Sequence, residues 1–318
     1  YEAYRKKYQD DIREVTRASL QALDKTALDK YIILLKEGKP KLAAMDEQSI
    51  YELMSVTHNH NVTLSSVLLF SPYPQAYFPQ FCITAVVVPG KEVGEVDSDG
   101  ARFLDNARIE GTIPEMLEEA ISFVKRNMRK KTIINPATGK REDRTDYPIT
   151  AVREAILNAL VHRDYSIHTE GMPIQILMFE DRMEIRNPGG IYGRMSIDQL
   201  GKVQADTRNP VLALALEVLD ITENRYSGIP TIRREMKAYN LVPAEFSDER
   251  GNFVVKFYKK TLENSTEENN LIEFCRTPRS RKEISEFLKI KSVAYAMKRY
   301  IQPLIESGKI KLTIPDTP

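Results

Sequence analysis

Three polar side chains recur at four-residue intervals in one segment: Glu154, Asn158 and His162. At about 100° per residue this spacing puts a carboxylate, a carboxamide and an imidazole in one row along a helix. Val152, Ile156 and Leu160 form a second row on a different face. One face therefore packs and the other presents polar groups. These serve either a ligand or a buried polar network that fixes the helix on a sheet, with Arg163 and Asp164 as a local ion pair. A second set of residues is cationic. Lys291, Ser292, Tyr295, Lys298 and Arg299 fall on one expected helix, and Lys309 and Lys311 on the alternating segment after it. On duplex DNA that helix would face the major groove and the two later lysines would reach phosphates.

The charge distribution supports the second set. From Arg276 onward ten basic residues stand against four acidic ones; with the whole chain at +1, the tail carries +6 and the rest −5. Bulk charge points to no partner, but this tail could follow a phosphate backbone. A cluster from Lys125 to Arg144, offset only by Glu142 and Asp143, reads either the same way or as a solvated helix face. His58 and His60 lack further metal ligands and read as surface residues, and Cys82, inside an apolar run, reads as core. The two cysteines, Cys82 and Cys275, are far apart and far from any histidine pair at ligand spacing, which argues against a disulfide framework and a zinc site. No Gly-x-x-x-x-Gly-Lys-Ser/Thr sequence occurs, so a P-loop motor is excluded.

The elements that must hold these residues follow from pattern. Residues 1–60 read as helical, with a break at Gly38-Lys39-Pro40. Val67–Phe70 and Phe81–Val88 are β-prone, residues 114–131 read as a helix, and Asn135–Gly139 as a hairpin tip between strands. Thr150 has the chemistry of an N-cap for the helix that carries Glu154. Two strands, 173–179 and 182–186, then end in Asn187-Pro188-Gly189-Gly190. A helix near 211–219, a glycine helix entry at Gly228 and a strand over 253–258 complete the unit. Residues 261–270 read as a polar linker. Beyond it, three helices and an alternating segment at 309–314 have the order of a winged helix-turn-helix. With 42% hydrophobic and 29% charged residues, no apolar run near the roughly 20 residues of a spanning helix, and no secretory signal, a cytoplasmic protein whose true N-terminus lies upstream is expected.

Glu154 and Asn158 resemble the Glu-x-x-x-Asn signature of the GHKL nucleotide-binding fold of histidine kinases, DNA gyrase B, heat-shock protein 90 and MutL. Glu154–Tyr165, Glu184–Gly190, Arg208-Asn209-Pro210 and Ser227-Gly228-Ile229 together resemble a bacterial transcriptional-regulator family whose divergent GHKL-type domain is likened to the C-terminal part of RecG-type helicases. Thr63–Phe70, Pro74-Gln75 and Phe78-Pro79 resemble the segment before that domain. In that family an Alba-like, Schlafen-type domain stands in front, and its opening motifs are absent here. The resemblance implies roles. Glu154 would be the catalytic general base toward water, Asn158 would hold magnesium through its oxygen, and Asn158, His162, Asn187, Gly189, Gly190 and Gly228 would line the nucleotide site. Asn187 stands where an aspartate would accept from the adenine amino group, and it brings an acceptor without the charge.

The expected fold is α+β and multi-domain. Residues 1–146 are a helical and β segment, remnant and linker after an Alba-like domain; 147–260 a GHKL-like α/β sandwich; 261–270 a linker; and 271–318 a winged helix-turn-helix. The expected function is DNA-binding transcriptional regulation through the winged helix, with the GHKL-like domain sensing a ligand or dimerising. The alternative is a magnesium-dependent ATP-binding or ATP-hydrolysing enzyme. ATP and magnesium are the cofactors in view, duplex DNA and a second copy of the chain the partners, and no membrane is involved.

Overall fold

The computed structural model describes residues 9–134, 141–193, 195–203, 206–222, 228–260, 262–290 and 292–313. The chain divides into two compact units, one of residues up to Tyr239 with Pro243–Lys259, the other of Asn240–Val242 with the residues from Lys260 onward.

The first unit opens with helices α1 (Lys25–Gly38), α2 (Pro40–Ala43) and α3 (Glu47–Leu53), the break between the first two falling at Gly38-Lys39-Pro40. Residues 9–23, expected to be helical as well, hold only short 3-10 turns, because the chain there runs extended against residues 62–64. Val15 donates to the Val62 carbonyl at 2.8 Å and Leu64 to that of Arg13 at 2.9 Å. A small hairpin, β1 (Thr57–His58) and β2 (Asn61–Val62), leads into α4 (Leu64–Phe70). The run Val67–Phe70, expected as a strand, is therefore helix. The Thr63 hydroxyl accepts from the Ser66 amide at 3.3 Å and caps it, and every residue of α4 is buried, so no amphipathic period distinguished helix from strand.

The remaining elements are β3 (Ile83–Val87), β4 (Asp105–Ile109), α5 (Ile113–Asn127), β5 (Lys130–Ile134), β6 (Arg141–Thr145), α6 (Ile149–His162), β7 (Ile174–Met178), β8 (Arg182–Pro188), α7 (Pro210–Val218), α8 (Gly228–Ala238), β9 (Glu245–Glu249) and β10 (Asn252–Tyr258). β5 and β6 pair as the expected hairpin, whose tip lies outside the described residues. One six-stranded sheet runs β4-β3-β7-β8-β10-β9, with β3 and β7 parallel and the other pairs antiparallel. Since β3 and β4 precede Tyr147, the sheet crosses the boundary expected at 146/147. Ile83 in β3 pairs with Ile174 in β7 and both are buried, so this strand completes the core beneath α5, while α6 packs on β8. β8 runs two residues further than expected, with Asn187 opposite Phe253 and Pro188 opposite Asn252.

The second unit holds α9 (Leu262–Phe274), α10 (Arg281–Phe287), α11 (Val293–Ala296), a π-helical turn (Met297–Ile301) and α12 (Gln302–Glu306). Its core is Leu271, Ile284, Ile301 and Leu304, with Phe274 and Phe287 stacked at 4.2 Å. A reciprocal box starts α10: Glu283 N–H donates to Ser280 Oγ at 3.2 Å and Ser280 N–H to Glu283 Oε2 at 2.8 Å. Two expectations are corrected. The polar segment read as a linker over 261–270 is helical from Leu262, since Leu271 needs a helix to bring it into this core. No strand forms over the described residues 309–313, so the alternating segment is not a β wing there; only Ile310 of it packs against the core, and a two-stranded wing needs a partner. Among the described residues no helix is long and apolar enough to cross a membrane.

Candidate nucleotide site

The polar row on α6 is set by where that helix begins and ends. The Pro148 carbonyl accepts from Val152 N–H at 3.1 Å, so the helix starts at Ile149, and Thr150 lies in its first turn rather than capping it. Val152, Ile156 and Leu160 are buried, and Glu154, Asn158 and His162 together line a cavity of about 540 Å³. Asn158 Nδ2 donates to Glu154 Oε1 at 3.2 Å, which orients both side chains. Burial, reinforced by the Arg208 charge, pulls the His162 imidazole down to about 4, so it is neutral at ordinary pH.

The residues after His162 hold this helix in place. The Tyr165 hydroxyl donates to the Leu160 carbonyl at 2.8 Å, and Asn209 Nδ2 donates to the Val161 and Arg163 carbonyls at 2.7 and 2.8 Å. Carbonyls at the end of the helix are thereby satisfied, one from the segment that follows it and two from the distant Asn209. Arg163 is buried, stacks over Phe81 at 4.3 Å and donates to the carbonyls of Asp164, Thr169 and Met172. It does not form the expected ion pair with the Asp164 carboxylate. That carboxylate accepts instead from Ser166 N–H at 3.0 Å and lies 4.0 Å from Arg208. Burial pulls the Arg163 guanidinium down to about 10, which still leaves it charged.

The opposite wall comes from the end of β8. Asn187 is 3% exposed and lines the cavity, and among the described residues its Oδ1 has no hydrogen-bond partner. Gly189 follows at φ +90°, in the left-handed region, and a Cβ there would run into Asp164 and the Arg208 guanidinium. Arg208 in turn donates to the Gly190 carbonyl at 2.8 Å, and Asp248 accepts from Ile191 N–H at 3.0 Å. Ile185, Leu200, Ile229, Phe253 and Val255 supply apolar wall. α7 contributes Pro210, Ala213 and Leu214, and its start is held by Asp11, a fully buried carboxylate accepting from Val211 and Leu212 N–H at 2.8 and 3.2 Å. At the start of α8, a Cβ on Gly228 would sit 2.5 Å from Asn158 Nδ2 and 2.6 Å from Glu154 Oε1, so only glycine lets this backbone approach the pair.

All seven residues singled out for nucleotide chemistry, Glu154, Asn158, His162, Asn187, Gly189, Gly190 and Gly228, thus share one cavity. Asp11 and Asp248 carried no local sequence signal, since each bonds to a residue more than 50 positions away. Among the described residues no group of three or more His, Cys, Asp or Glu side chains could hold a metal ion. In the second unit Ser292 caps α11, its Oγ accepting from Tyr295 N–H at 3.3 Å, so it serves the fold. Tyr295, Lys298 and Arg299 are exposed. Lys309 is exposed but paired with Glu268 at 2.6 Å, Lys311 is exposed, and Lys291 lies outside the described residues.

Residues 171–257 match the family model described as "Putative ATP-dependent DNA helicase recG C-terminal", and this part of the chain is an ATPase-like domain. Asn187, Gly189, Gly190 and Gly228 fall inside the match and Glu154, Asn158 and His162 before it. In fold the chain is similar to the DIP2311 protein from Corynebacterium diphtheriae, with a TM-score of 0.58 and 18% identity. The likeness covers 94% of this chain but 60% of that one. No curated protein matches the chain.

Proposed function

We propose that the cavity binds an adenine nucleotide with magnesium and that the chain is a DNA-binding transcriptional regulator whose ATPase-like domain senses that nucleotide. The observation that carries the nucleotide reading is that Glu154, Asn158, His162, Asn187 and Gly228 share one cavity otherwise rich in apolar surface. A carboxamide such as that of Asn187 carries both an acceptor and a donor, the two groups that an adenine edge pairs with. The residues fit the rest of the ligand as well. Asn158 offers an oxygen, the ligand type magnesium prefers, and the phosphates would supply the others. The start of α8, pressed against Glu154 and Asn158, brings backbone N–H groups and the positive end of the helix dipole toward the phosphates. When bound, magnesium would neutralise phosphate charge. Glu154, held by Asn158, is the group that would accept a proton from water in a hydrolytic turnover.

Calorimetric titration of Mg–ATP into the full chain tests the reading, with saturable binding of one nucleotide per chain as the expected result. Phosphate release then separates the sensor from the hydrolase. Turnover lost in Glu154→Ala supports hydrolysis, and background release by both proteins supports sensing alone.

The DNA reading rests on the helical segment Val293–Glu306, where the exposed charges before Glu306 are Lys298 and Arg299, with exposed Tyr295 beside them. No acidic side chain interrupts residues 287–305. Fluorescence anisotropy of a labelled duplex across a salt series tests it, and affinity that does not depend on salt contradicts it.

A further inference from the structure

We infer that the hairpin β5–β6 is a nucleic-acid arm, a cationic two-stranded ribbon that lies against the phosphates of duplex DNA. The inference shares its ligand with the DNA reading above but none of its residues, so the two fail separately. From Lys125 to Arg144 the sequence sets eight basic residues against two acidic ones, a net +6 that equals the whole C-terminal tail. The segment leaves the last turn of α5 at Lys125 and Arg126 and continues through Arg129 into β5. Among the described residues β5 and β6 pair only with each other, in a sheet of their own, with Lys130 opposite Thr145 and Ile134 opposite Arg141. Lys130 and Arg141 thus stand four rungs apart along the ladder, roughly 14 Å at about 3.4 Å per residue. The major groove is about 12 Å wide and admits a two-stranded ribbon, so cations so spaced reach phosphates on both of its walls.

One face of the ribbon is tied at its base and the other is open. Arg144 stacks over the Tyr239 ring at 5.2 Å, which holds its face to the body of the unit. Lys130, Thr132, Arg141 and Asp143 alternate onto the opposite face, and all four are exposed. The carboxylate of Asp143 is engaged within that face: it accepts from Thr132 Oγ1 at 2.8 Å and lies 3.8 Å from Arg141. An ion pair this exposed is worth little, so a phosphate competes for Arg141 at small cost. Lys125, Arg129 and Lys130 are exposed and have no ion-pair partner among the described residues. Cations gathered this way repel one another, and a polyanion relieves the repulsion while shedding its own counterions.

The test is fluorescence anisotropy of a labelled random duplex across a salt series, with the full chain and with the triple variant Arg129→Ala/Lys130→Ala/Arg141→Ala. With three phosphate contacts gone, the slope of log affinity against log salt should fall by about 2 to 3, and the affinity at about 0.1 M salt roughly tenfold or more. A control removes three exposed cations from around α1 and α2, Lys30→Ala/Lys39→Ala/Lys41→Ala, and should keep the wild-type slope. Equal affinity and slope in wild type and ribbon variant overturn the inference. So does a control that loses as much as the ribbon variant, since bulk charge then accounts for both. Binding weakened by Lys298→Ala/Arg299→Ala but not by the ribbon variant refutes the arm and leaves the DNA reading of the second unit standing. Absence of salt-dependent binding by the wild-type chain overturns both. Should the triple variant melt lower than wild type, Lys130→Ala decides alone: a slope lower by about 1 supports the arm, and an unchanged slope overturns it.

Discussion

Glu184 and Asn187 lie three residues apart on β8, on opposite faces of the sheet, and are equally buried at 2% and 3% exposure. Their hydrogen bonding could hardly differ more. Glu184 accepts three charge-assisted bonds, from Arg182 Nε at 2.6 Å and from Arg186 Nε and Nη2 at 3.0 and 2.7 Å. Asn187 Oδ1 accepts none from the described residues. A buried polar group whose valences are all met locally belongs to the scaffold; an unpaired one, in a residue that lines a cavity, is a candidate for a ligand contact. Glu184 is thus satisfied within the scaffold, whereas Asn187 lies on the face that lines the cavity with Glu154 and Asn158.

The comparison is sharpest under substitution. Glu184→Gln should cost about 2–3 kcal/mol of stability in denaturant titration, less than the roughly 3–5 kcal/mol of a fully buried ion pair because Arg186 is partly exposed and water screens it. Nucleotide affinity should not change. Burial alone would raise the Glu184 carboxyl, but the bonds and charges of Arg182 and Arg186 outweigh it and hold the group below the usual range. Its contribution is accordingly full above the unfolded-state value near 4.3 and is lost as pH falls through the lower folded value, so wild type and variant should converge in stability at acid pH.

Asn187→Leu should act in the opposite sense. Stability should be unchanged or up to about 1 kcal/mol higher, since an unpaired buried amide is removed, while nucleotide affinity falls roughly tenfold or more. Asp11→Ala removes the side chain that caps α7 from some 200 residues away, and should cost about 1–2 kcal/mol, read from the thermal midpoint. The smallest effect is expected on the second unit. Lys298→Ala should leave folding alone and lower the slope of log affinity for DNA against log salt by about 1.

What the sequence made legible here is what depends on spacing within one element. The 3.6-residue period of α6 placed Glu154, Asn158 and His162 on one face before any neighbour was known, and β-prone runs bounded by turn residues placed β7, β8 and β10. Spacing could not say that β3 joins the same sheet in parallel with β7, nor that Asp11 reaches Val211, because both pairings are long-range. The fully buried α4 lacked a polar face and so read as a strand. His162–Tyr165 and Arg208–Pro210 stood out as motifs, yet Arg163, Tyr165 and Asn209 serve largely to hold the end of α6. At the C-terminus, alternation over 309–314 suggested a strand, but the two lysines there are drawn to solvent and to Glu268, and residues 309–313 form none.

The most direct measurement is calorimetric titration of Mg–ATP into the full chain and into Asn187→Leu, with the unfolding midpoint of each recorded alongside. Saturable binding to the wild type, weakened at least tenfold in a variant that melts no lower, is the predicted outcome. Absence of binding to the wild type, or equal binding by both proteins, would contradict the assignment of Asn187 to the ligand.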